Sequence, residues 1–497
     1  VKPENDNKIA YFSMEYGLLK SLKIYSGGLG ILAGDYLKQA SDSNANLLAI
    51  GLLYRYGYFN QELSVWGDQL SQYLPQTFSE LPLEPVRDKD GNWVTISIAF
   101  PGRSVYAKVW KVNVGRISLY LLDTDIEQNS QEDRAITGQL YGGDSEMRIK
   151  QELFLGVGGI RMLNALNIKP TVYHCNEGHA AFCVLERMSN YVQKHNLDFE
   201  VAKELVKTST LFTTHTPVPA GHDAFAEDLM RTYLPHFPGR VNISWDDFMN
   251  MGRMHHDPSE KFSMSVLAVN FSQEVNGVSK IHGRVSREMF QEMWPGYFAE
   301  ENHIGYVTNG VHLPTWADKH WQRLYNKVLG EDYLANQSDP TVWEKIQNVP
   351  AKDFWEIRKE LKHNLFAFVR EKTIRDMQSR SESPKLIMET MDNIDENALV
   401  IGFARRFATY KRAHLLFTNI ERLAKIVNDP KRPVIFLFAG KAHPNDKAGQ
   451  DLIKNIIEVG RRKEFIGKVL FINNYDMEIG KLLTSSVDIW MNTPTRP

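Results

Sequence analysis

Short apolar runs, rich in β-branched and aromatic residues, alternate with segments of helical periodicity along most of the chain. This alternation predicts an α/β protein with a mainly parallel sheet flanked by helices. In the first part of the chain, the runs that predict strands are 9–14, 47–55, 105–112, 117–123, 171–175, 211–215 and 304–309. The segments that predict helices are Leu29–Ser43, Glu146–Leu166, Gly178–Gln193 and Lys261–Asn270.

A polar, helix-rich stretch then leads to a second strand–helix series, and the break near residue 395 is the best candidate for a domain boundary. The second series predicts strands at 398–404, 433–439, 468–472 and 487–492. A doubly wound domain usually has about five or six strands, so we expect the second domain to be incomplete. The predicted regions are a Rossmann-like domain at 1–317, a helical connection at 318–395 and the start of a second Rossmann-like domain at 396–497.

Composition excludes several classes of protein. The 497 residues carry 58 basic and 60 acidic side chains, and a net charge of -2 argues against a nucleic-acid partner. No run approaches the roughly 20 apolar residues of a membrane span, and the N-terminus does not have the pattern of a signal peptide. The only cysteines, Cys175 and Cys183, do not make a disulfide framework. We therefore expect a cytoplasmic protein without a membrane partner.

The strongest local sign of chemistry is the segment GFARRFATYKRAHLLF at 402–417. Four cations, Arg405, Arg406, Lys411 and Arg412, directly follow an apolar strand there. Arginine suits bidentate contact with phosphate, and lysine suits contact as a point charge. Most charge runs are solvated surfaces, but this one lies between a buried-type strand and an apolar helix. The pattern therefore predicts bound anions, with phosphate as the first choice.

Two further segments place candidate groups at strand ends. Gly27, Gly28 and Gly30 open a helix after a strand, so that backbone N–H groups could approach an anion at the helix N-terminus. A tight turn without a ligand is an equal alternative. His215 ends an apolar strand, and the prolines and glycine of TPVPAGHD predict a rigid turn at the carboxyl edge of the sheet. Taken alone, His215 fits a structural histidine better than a ligand-binding one.

Two other motifs each allow a functional and a structural interpretation. His174, Glu177 and His179 could suggest a metal, but the helical His-x-x-x-His motif is not present and no third ligand is evident, so we expect no metal. In VTNGVHLPTW, the amide of Asn309 suits a sugar hydroxyl and the ring of Trp316 suits a sugar face. A capped turn with a packed tryptophan is the alternative.

Eight segments together resemble the α-glucan (glycogen/maltodextrin) phosphorylases, specifically the shorter prokaryotic type. In chain order they are YFSMEYG, YSGGLGILAGD, HCNEGHAAF, THTPVPAGHD, YVTNGVHLPTW, GFARRFATYKRA, GKAHP and NTPTRP. The resemblance covers almost the whole chain. It implies a GT-B fold, in which two Rossmann-like domains surround a cleft, and a pyridoxal 5′-phosphate cofactor. It also implies reversible phosphorolysis of α-1,4-glucans with retention, releasing glucose 1-phosphate from the non-reducing end.

The resemblance assigns four residues to the substrates. Arg406 matches the arginine that grips the substrate phosphate, and Gly28 matches a glycine whose N–H faces that phosphate. His215, through its backbone carbonyl, and Asn309, through its side-chain amide, match residues that bind the terminal glucose. The predicted catalytic residues are Arg406, Lys411 and His215, and the expected substrates are an α-1,4-glucan and orthophosphate.

The resemblance assigns four residues to the cofactor. Lys411 and Arg405 match basic residues near the cofactor phosphate, although many family members have lysine at the position of Arg405. Trp316 and Tyr475 match residues that line the cofactor.

The family's Schiff-base lysine follows the NTP-x-RP motif, and the present chain ends at Pro497. We therefore expect that lysine to be absent, and the isolated chain neither to bind the cofactor covalently nor to catalyse phosphorolysis. Asp476 stands where some members carry a basic residue. The family is commonly dimeric, so a homodimer is expected.

Two alternatives stay open at this stage. A nucleotide-sugar-dependent glucan synthase has the same general architecture and a glycine-rich first loop, but it would carry an acidic pair in its second domain, where this chain has Tyr-Lys-Arg. A glucan-binding remnant without catalysis is the other alternative. A hydrolase would use two carboxylates flanking the scissile bond, and no such pair stands out.

Overall fold

The structure is a computed structural model that describes residues 7–217 and 221–495. The described residues form two compact units. The first unit comprises residues 7–58 and 75–311 apart from the gap, and the second comprises 59–74 and 312–495. Both units are α/β, which confirms the predicted fold class. The division into 1–317, 318–395 and 396–497 stays a prediction.

The first unit is built on a ten-stranded sheet in which seven neighbouring strands are parallel. In spatial order these are β14 (Gly305–Tyr306), β13 (Glu274–Gly277), β10 (Thr210–Thr213), β9 (Val172–Asn176), β1 (Ile9–Phe12), β2 (Leu47–Leu52) and β8 (Ile117–Asp123). An antiparallel extension follows, formed by β7 (Arg103–Val114), β6 (Thr95–Phe100) and β5 (Glu84–Pro85). A separate antiparallel pair joins β11 (Ala224–Phe225) and β12 (Phe262–Ser263).

Helices accompany this sheet along the chain of the first unit. They are α1 (Gly28–Asp42), α2 (Gln131–Arg134), α3 (Ser145–Leu153), α4 (Gly159–Ala165), α5 (Cys183–His195), α6 (Phe199–Thr208), α7 (Glu227–Tyr233), α8 (Phe237–Val241), α9 (Trp245–Asn250), α10 (Met264–Asn270) and α11 (Lys280–Met289). A π-helical turn, Phe154–Gly158, connects α3 to α4 and interrupts the single helix predicted there. Gly156 permits the close packing of this turn, because a Cβ on it would lie 2.6 Å from the amide nitrogen of Cys183.

The strand sequences explain why the sheet is central. All six residues of β2, LLAIGL, are buried, as expected for a parallel strand that is covered on both faces. Because the seven parallel strands run in one direction, their carboxyl ends share one edge of the sheet. The segments that follow β1, β9, β10 and β14 therefore begin at that edge, and they contain Glu15, Glu177, His215 and Asn309.

The second unit has a four-stranded parallel sheet and a hairpin that comes from early in the chain. The sheet order is β17 (Val469–Ile472), β16 (Val434–Ala439), β15 (Leu399–Ala404) and β18 (Ile489–Trp490), and the hairpin joins β3 (Asn60–Leu63) to β4 (Gln69–Gln72). The helices of this unit are α12 (Leu313–Trp316), α13 (Lys319–Leu329), α14 (Pro340–Glu344), α15 (Ala351–Ser379), α16 (Pro384–Asn393), α17 (Ile420–Val427), α18 (Lys447–Gly460) and α19 (Met477–Ser486).

Two buried glutamines fix the hairpin to the carboxyl edge of this second sheet. The Gln69 amide donates to the carbonyl of Ala442 at 2.9 Å and accepts from the Ala442 N–H at 3.0 Å. The Gln61 amide donates to the carbonyl of Gly440 at 3.0 Å and accepts from the Asn474 N–H at 2.9 Å. The hairpin is thus held through the loops that follow β16 and β17. Among the described helices, none is both long and apolar enough to cross a membrane.

Candidate functional site

The glycine-rich turn lies in the first unit, where it connects the segment after β1 to α1. Helix α1 begins at Gly28, and its N-cap, Gly27, supplies no side-chain hydrogen bond. Within the described chain, the N–H groups of Gly28, Leu29 and Gly30 donate to no acceptor. Gly28 is exposed, and a Cβ built on it would meet nothing within 4 Å. Among the described residues, the first turn of α1 therefore presents donors without an acceptor at the positive end of the helix dipole, and anion binding there stays a prediction.

A buried carboxylate holds the residues just before this helix. The side chain of Glu15 accepts hydrogen bonds from the backbone N–H groups of Ser26 at 2.5 Å and Gly27 at 3.3 Å. Its other oxygen accepts a hydrogen bond from the Tyr141 hydroxyl at 2.8 Å. Glu15 is only 2% exposed. The turn is thus fixed by an acid that the sequence motif contained but that the sequence analysis did not single out.

His215 follows β10, and its backbone is held by a second buried acid. Its N–H donates to the Glu177 carboxylate at 2.6 Å, and the hydroxyl of Thr216 donates to the same oxygen at 2.9 Å. Glu177 has a φ of 72°, a conformation that side chains rarely adopt and that often marks functional sites. These bonds fix the backbone of His215, the residue whose carbonyl the family resemblance assigns to glucose.

The imidazole of His215 is also fixed, and it is neutral. Its Nε2 lies 2.6 Å from Oδ1 of Asn176, whose amide nitrogen donates to the hydroxyl of Ser13 at 3.2 Å. Oδ1 is then the acceptor, so Nε2 carries the proton. Burial lowers the pKa of His215 to about 4, so the ring is uncharged at neutral pH. The predicted rigid turn after His215 includes residues 218–220, which lie outside the described residues.

Asn309 follows β14 at the same edge of the first sheet. Its backbone N–H donates to the carbonyl of Val278 at 3.0 Å, and the residue is exposed. The backbone is thus anchored while the side-chain amide faces open space. That arrangement suits contact with a ligand hydroxyl, the role that the resemblance assigns to Asn309.

The basic loop, residues 405–412, follows β15 in the second unit. Two backbone hydrogen bonds join the start of this loop to the end of β16 and the segment after it. The Arg405 N–H donates to the carbonyl of Ala439 at 3.2 Å, and the Phe407 N–H donates to the carbonyl of Lys441 at 2.9 Å. Gly440 has a φ of 144°, and a Cβ there would lie 1.9 Å from the carbonyl oxygen of Arg405. Only glycine allows the two loops to approach this closely.

The cations of the basic loop differ in their surroundings. Arg412 donates to the backbone carbonyls of Thr493 and Pro494 at 2.8 and 3.0 Å, which ties the loop to the segment after β18. Arg405 donates to the side chain of Asn492. Across residues 7–217 and 221–495, neither Arg405 nor Lys411 forms an ion pair with a carboxylate. Burial and the charges of Arg405 and Arg406 lower the pKa of Lys411 to about 8.

Trp316 and Tyr475 come together in the second unit, although they are far apart in sequence. A Cβ built on Gly480 would lie 2.8 Å from the Tyr475 hydroxyl and 3.8 Å from the Trp316 ring. Burial and the neighbouring Asp476 raise the pKa of Tyr475 to about 12, so its hydroxyl stays protonated. Asp476 itself caps α19 by accepting from the N–H groups of Glu478 and Ile479, both at 3.0 Å. Its carboxylate therefore has a structural role.

The residues weighed as metal ligands have separate hydrogen-bonding partners. His174 Nε2 lies 2.8 Å from the Thr213 hydroxyl, Glu177 serves the His215 segment, and His179 Nε2 lies 3.4 Å from Asp223. Among the described residues, no three His, Cys, Asp or Glu side chains are grouped so as to hold a metal ion.

Comparison with known proteins identifies the family. The family model described as carbohydrate phosphorylase matches residues 123–493, well over half of the chain. The chain belongs to the carbohydrate phosphorylase family. Maltodextrin phosphorylase of Thermococcus litoralis is 42% identical over 495 residues, which cover 100% of this chain and 58% of that protein.

Two bacterial relatives are also phosphorylases by name. Glycogen phosphorylase of Mycobacterium tuberculosis is 40% identical, covering 98% of this chain and 58% of its own length. Glycogen phosphorylase of Aquifex aeolicus is 36% identical, covering 98% of this chain and 70% of its own length. The chain thus spans 58% of the length of the first two relatives. The match to this family confirms the resemblance drawn from the eight segments.

Proposed function

We propose that this chain recognises an α-1,4-glucan and orthophosphate for phosphorolysis. In that reaction the terminal glucosyl unit passes to phosphate with retention, and glucose 1-phosphate is formed. Membership of the carbohydrate phosphorylase family supports this proposal, as do the relatives named maltodextrin phosphorylase and glycogen phosphorylase.

The observation that carries the proposal is the electrostatics of the basic loop. Lys411 is partly buried beside Arg405 and Arg406, and burial together with these two charges makes its ammonium form less favourable than in water. Neither Arg405 nor Lys411 has a carboxylate partner within the described residues. A bound phosphate would neutralise the repulsion and supply acceptors for the guanidinium and ammonium donors.

In this proposal each unit supplies its own contacts. In the second unit, Arg406 binds the substrate phosphate and Lys411 adds charge. In the first unit, the N–H of Gly28 is available to a phosphate group, the carbonyl of His215 accepts from a glucose hydroxyl, and the amide of Asn309 bonds another hydroxyl. The Glu177 hydrogen bonds support the glucose contacts by fixing the backbone at His215.

The bond changes explain why phosphate contacts matter. The bond from the anomeric carbon to the leaving glucan oxygen breaks, and a phosphate oxygen bonds to that carbon. The proton on orthophosphate passes to the leaving oxygen, so that glucose 1-phosphate and a shortened glucan result. Fixed cations stabilise the negative charge of a phosphate that faces the developing positive charge on the sugar.

The residues also fit a pyridoxal phosphate cofactor. Trp316 and the protonated Tyr475 both lie beside Gly480 and would suit a pyridine ring, and Arg405 and Lys411 would suit its phosphate. When bound, this group would supply a second phosphate able to exchange a proton with orthophosphate. Trp316 and Tyr475 would orient it and exclude water from its ring.

Calorimetric titration of the full chain tests this function against the alternatives. Orthophosphate, maltohexaose and a nucleotide sugar are added separately to the wild-type chain and to Arg406→Gln. We expect the wild-type chain to bind orthophosphate and maltohexaose, and Arg406→Gln to lose affinity only for orthophosphate. Binding of the nucleotide sugar without orthophosphate would overturn the proposal in favour of a glucan synthase. Binding of maltohexaose alone would leave a glucan-binding protein.

A further inference from the structure

Glu15 has a role in the first unit that neither its burial nor the family resemblance explains by itself. It is a carboxylate that is 2% exposed, and it lies at the N-terminal end of α1, beside donors suited to an anion. A fixed negative charge at that place repels a phosphate. A buried acid at this place therefore needs a structural explanation, and the hydrogen bonds of Glu15 provide one.

The carboxylate divides the donors of the glycine-rich turn into two sets. It accepts from the N–H groups of Ser26 and Gly27, the two residues before the helix, at 2.5 and 3.3 Å. It leaves the N–H groups of Gly28, Leu29 and Gly30 without an acceptor within the described chain. Glu15 thus fixes the approach to the helix and keeps the first helical turn available.

The packing around Glu15 shows that this geometry is tightly constrained. A Cβ on Gly30 would lie 2.8 Å from the Glu15 carboxylate, so only glycine lets the acid reach the turn. The Gly17 N–H also donates to the carbonyl of Gly30 at 2.6 Å, which joins the segment after β1 to the first turn of α1. Both features keep the segment after β1 close to the first turn of α1.

Tyr141 links the same carboxylate to a neighbouring loop of the first unit. Its hydroxyl donates to Glu15 at 2.8 Å, and its ring lies under the guanidinium of Arg148 at 4.5 Å. Tyr141 and Arg148 line a cavity of about 300 Å³ together with Asp223. Glu15 is thus held from two sides, by the turn it organises and by the wall of this cavity.

We propose that Glu15 is a positioning residue, which fixes the glycine-rich turn in its phosphate-binding geometry through Ser26 and Gly27 without touching phosphate. This inference rests on the proposed function, because it assumes that Gly28 donates to orthophosphate. It predicts a change in phosphate affinity that is opposite in direction to the one expected from the charge of Glu15 alone. If Glu15 acted only through its charge, neutralising it would strengthen phosphate binding; as a positioning residue, its neutralisation weakens binding.

The test compares Glu15→Gln with Glu127→Gln, a matched change at an exposed acid of the first unit. Orthophosphate affinity, maltohexaose affinity and hydrogen exchange of the amides at 25–31 are measured on the full chain. We expect Glu15→Gln to weaken orthophosphate binding about tenfold, since hydrogen bonds to a charged group are replaced by weaker ones. Maltohexaose affinity stays within about twofold, the amides of Ser26 and Gly27 exchange faster, and Glu127→Gln changes none of the three.

Each result has a defined meaning. Unchanged or tighter orthophosphate binding by Glu15→Gln would overturn the positioning role while leaving the proposed function intact. If the wild-type chain binds no orthophosphate, the proposed function fails, and unchanged amide exchange in Glu15→Gln would then also remove the structural role. Should Glu15→Gln not fold, Tyr141→Phe keeps the charge and deletes one hydrogen bond to it. We expect this variant to weaken orthophosphate binding about threefold, and an unchanged affinity would contradict the inference.

Discussion

The glycine-rich turn of the first unit lies between β1 and α1, and the basic loop of the second unit directly follows β15, so both come after the first parallel strand of their sheet in chain order. In the turn, a buried acid, Glu15, accepts the N–H groups before α1, and the donors offered to a ligand belong to the backbone. In the loop, the donors are the side chains of Arg405, Arg406 and Lys411, and the pKa of Lys411 is lowered to about 8.

Under the proposed function, the two regions would bind an anion in different ways. Backbone N–H groups do not titrate, so the turn is preorganised, and its sensitivity lies in the residues that set its geometry. In the basic loop, the charges of Arg405 and Arg406 and burial lower the pKa of Lys411, so an anion bound there would favour its charged form. Substitution and pH are therefore expected to affect the two regions differently.

The largest expected effect concerns the support of the basic loop. Gln69→Ala removes the amide that pairs with both the N–H and the carbonyl of Ala442 in the loop after β16. Leaving these buried groups without partners is expected to lower the free energy of unfolding of the second unit by about 3 kcal/mol. Urea denaturation measures this loss, and Glu62→Ala, an exposed neighbour on β3, is the control. A loss below about 1 kcal/mol would show that the hairpin does not support the loop.

The next largest effect is expected when a side-chain charge of the basic loop is removed. Arg406→Gln should weaken orthophosphate binding about thirtyfold, because hydrogen bonds to a charged group contribute roughly 1.5–3 kcal/mol. Arg422→Gln removes an exposed charge from α17 of the same unit and should have almost no effect. Calorimetry of both variants decides the matter. Equal losses in the two variants would mean that only the overall charge of the unit is sensed.

A smaller effect follows from the pKa of Lys411. Because burial, Arg405 and Arg406 lower this pKa to about 8, the side chain is mostly charged at pH 7 and mostly neutral at pH 9. Sulfate is the appropriate probe, since its own charge is constant over this range. Sulfate affinity should fall about tenfold between pH 7 and pH 9, with the fall centred near the pKa.

The matched variant for this pH dependence is Lys411→Arg. Arginine keeps its charge to well above pH 9, so the affinity of this variant should stay nearly flat over the same range. A fall of the same size in Lys411→Arg would assign the titration to another group. The glycine-rich turn, which has no titrating donor, contributes no slope of its own in this interpretation.

Many of the strands could be predicted from the sequence because each is a short, continuous apolar run. Strand β8 was predicted with its observed bounds, and the four strands of the second series were predicted to within about two residues at each end. Strand β13, Glu274–Gly277, was missed because EVNG has no apolar run, and pairing with β10 gives it order instead. The hairpin at 60–72 was also missed, since its membership of the second unit depends on pairing with distant residues such as Asn474.

In the candidate site too, some residues could be identified from local motifs and others could not. Its cations and glycines are visible in local motifs, and Trp316 and Tyr475 both lie beside Gly480, while their contact with a cofactor stays a prediction. The organising acids were not identified, because their roles depend on distant partners. Glu15 contacts a residue 126 positions away, and Glu177 was considered only as a metal ligand although it bonds His215, 38 positions away. A buried-type acid following an apolar parallel strand was the available signal in both cases.

The smallest expected effect is at Gly28, and it tests whether the turn acts through its backbone alone. A Cβ at this position meets nothing within 4 Å, so Gly28→Ala should change the free energy of unfolding by less than about 0.5 kcal/mol. The methyl group would crowd the adjacent N–H only slightly, and orthophosphate affinity should fall by about twofold or less. A loss as large as that of Arg406→Gln, in a fully folded protein, would mean that phosphate approaches on the side where the Cβ is added. The donors of the turn would then be as sensitive to a single side chain as those of the basic loop.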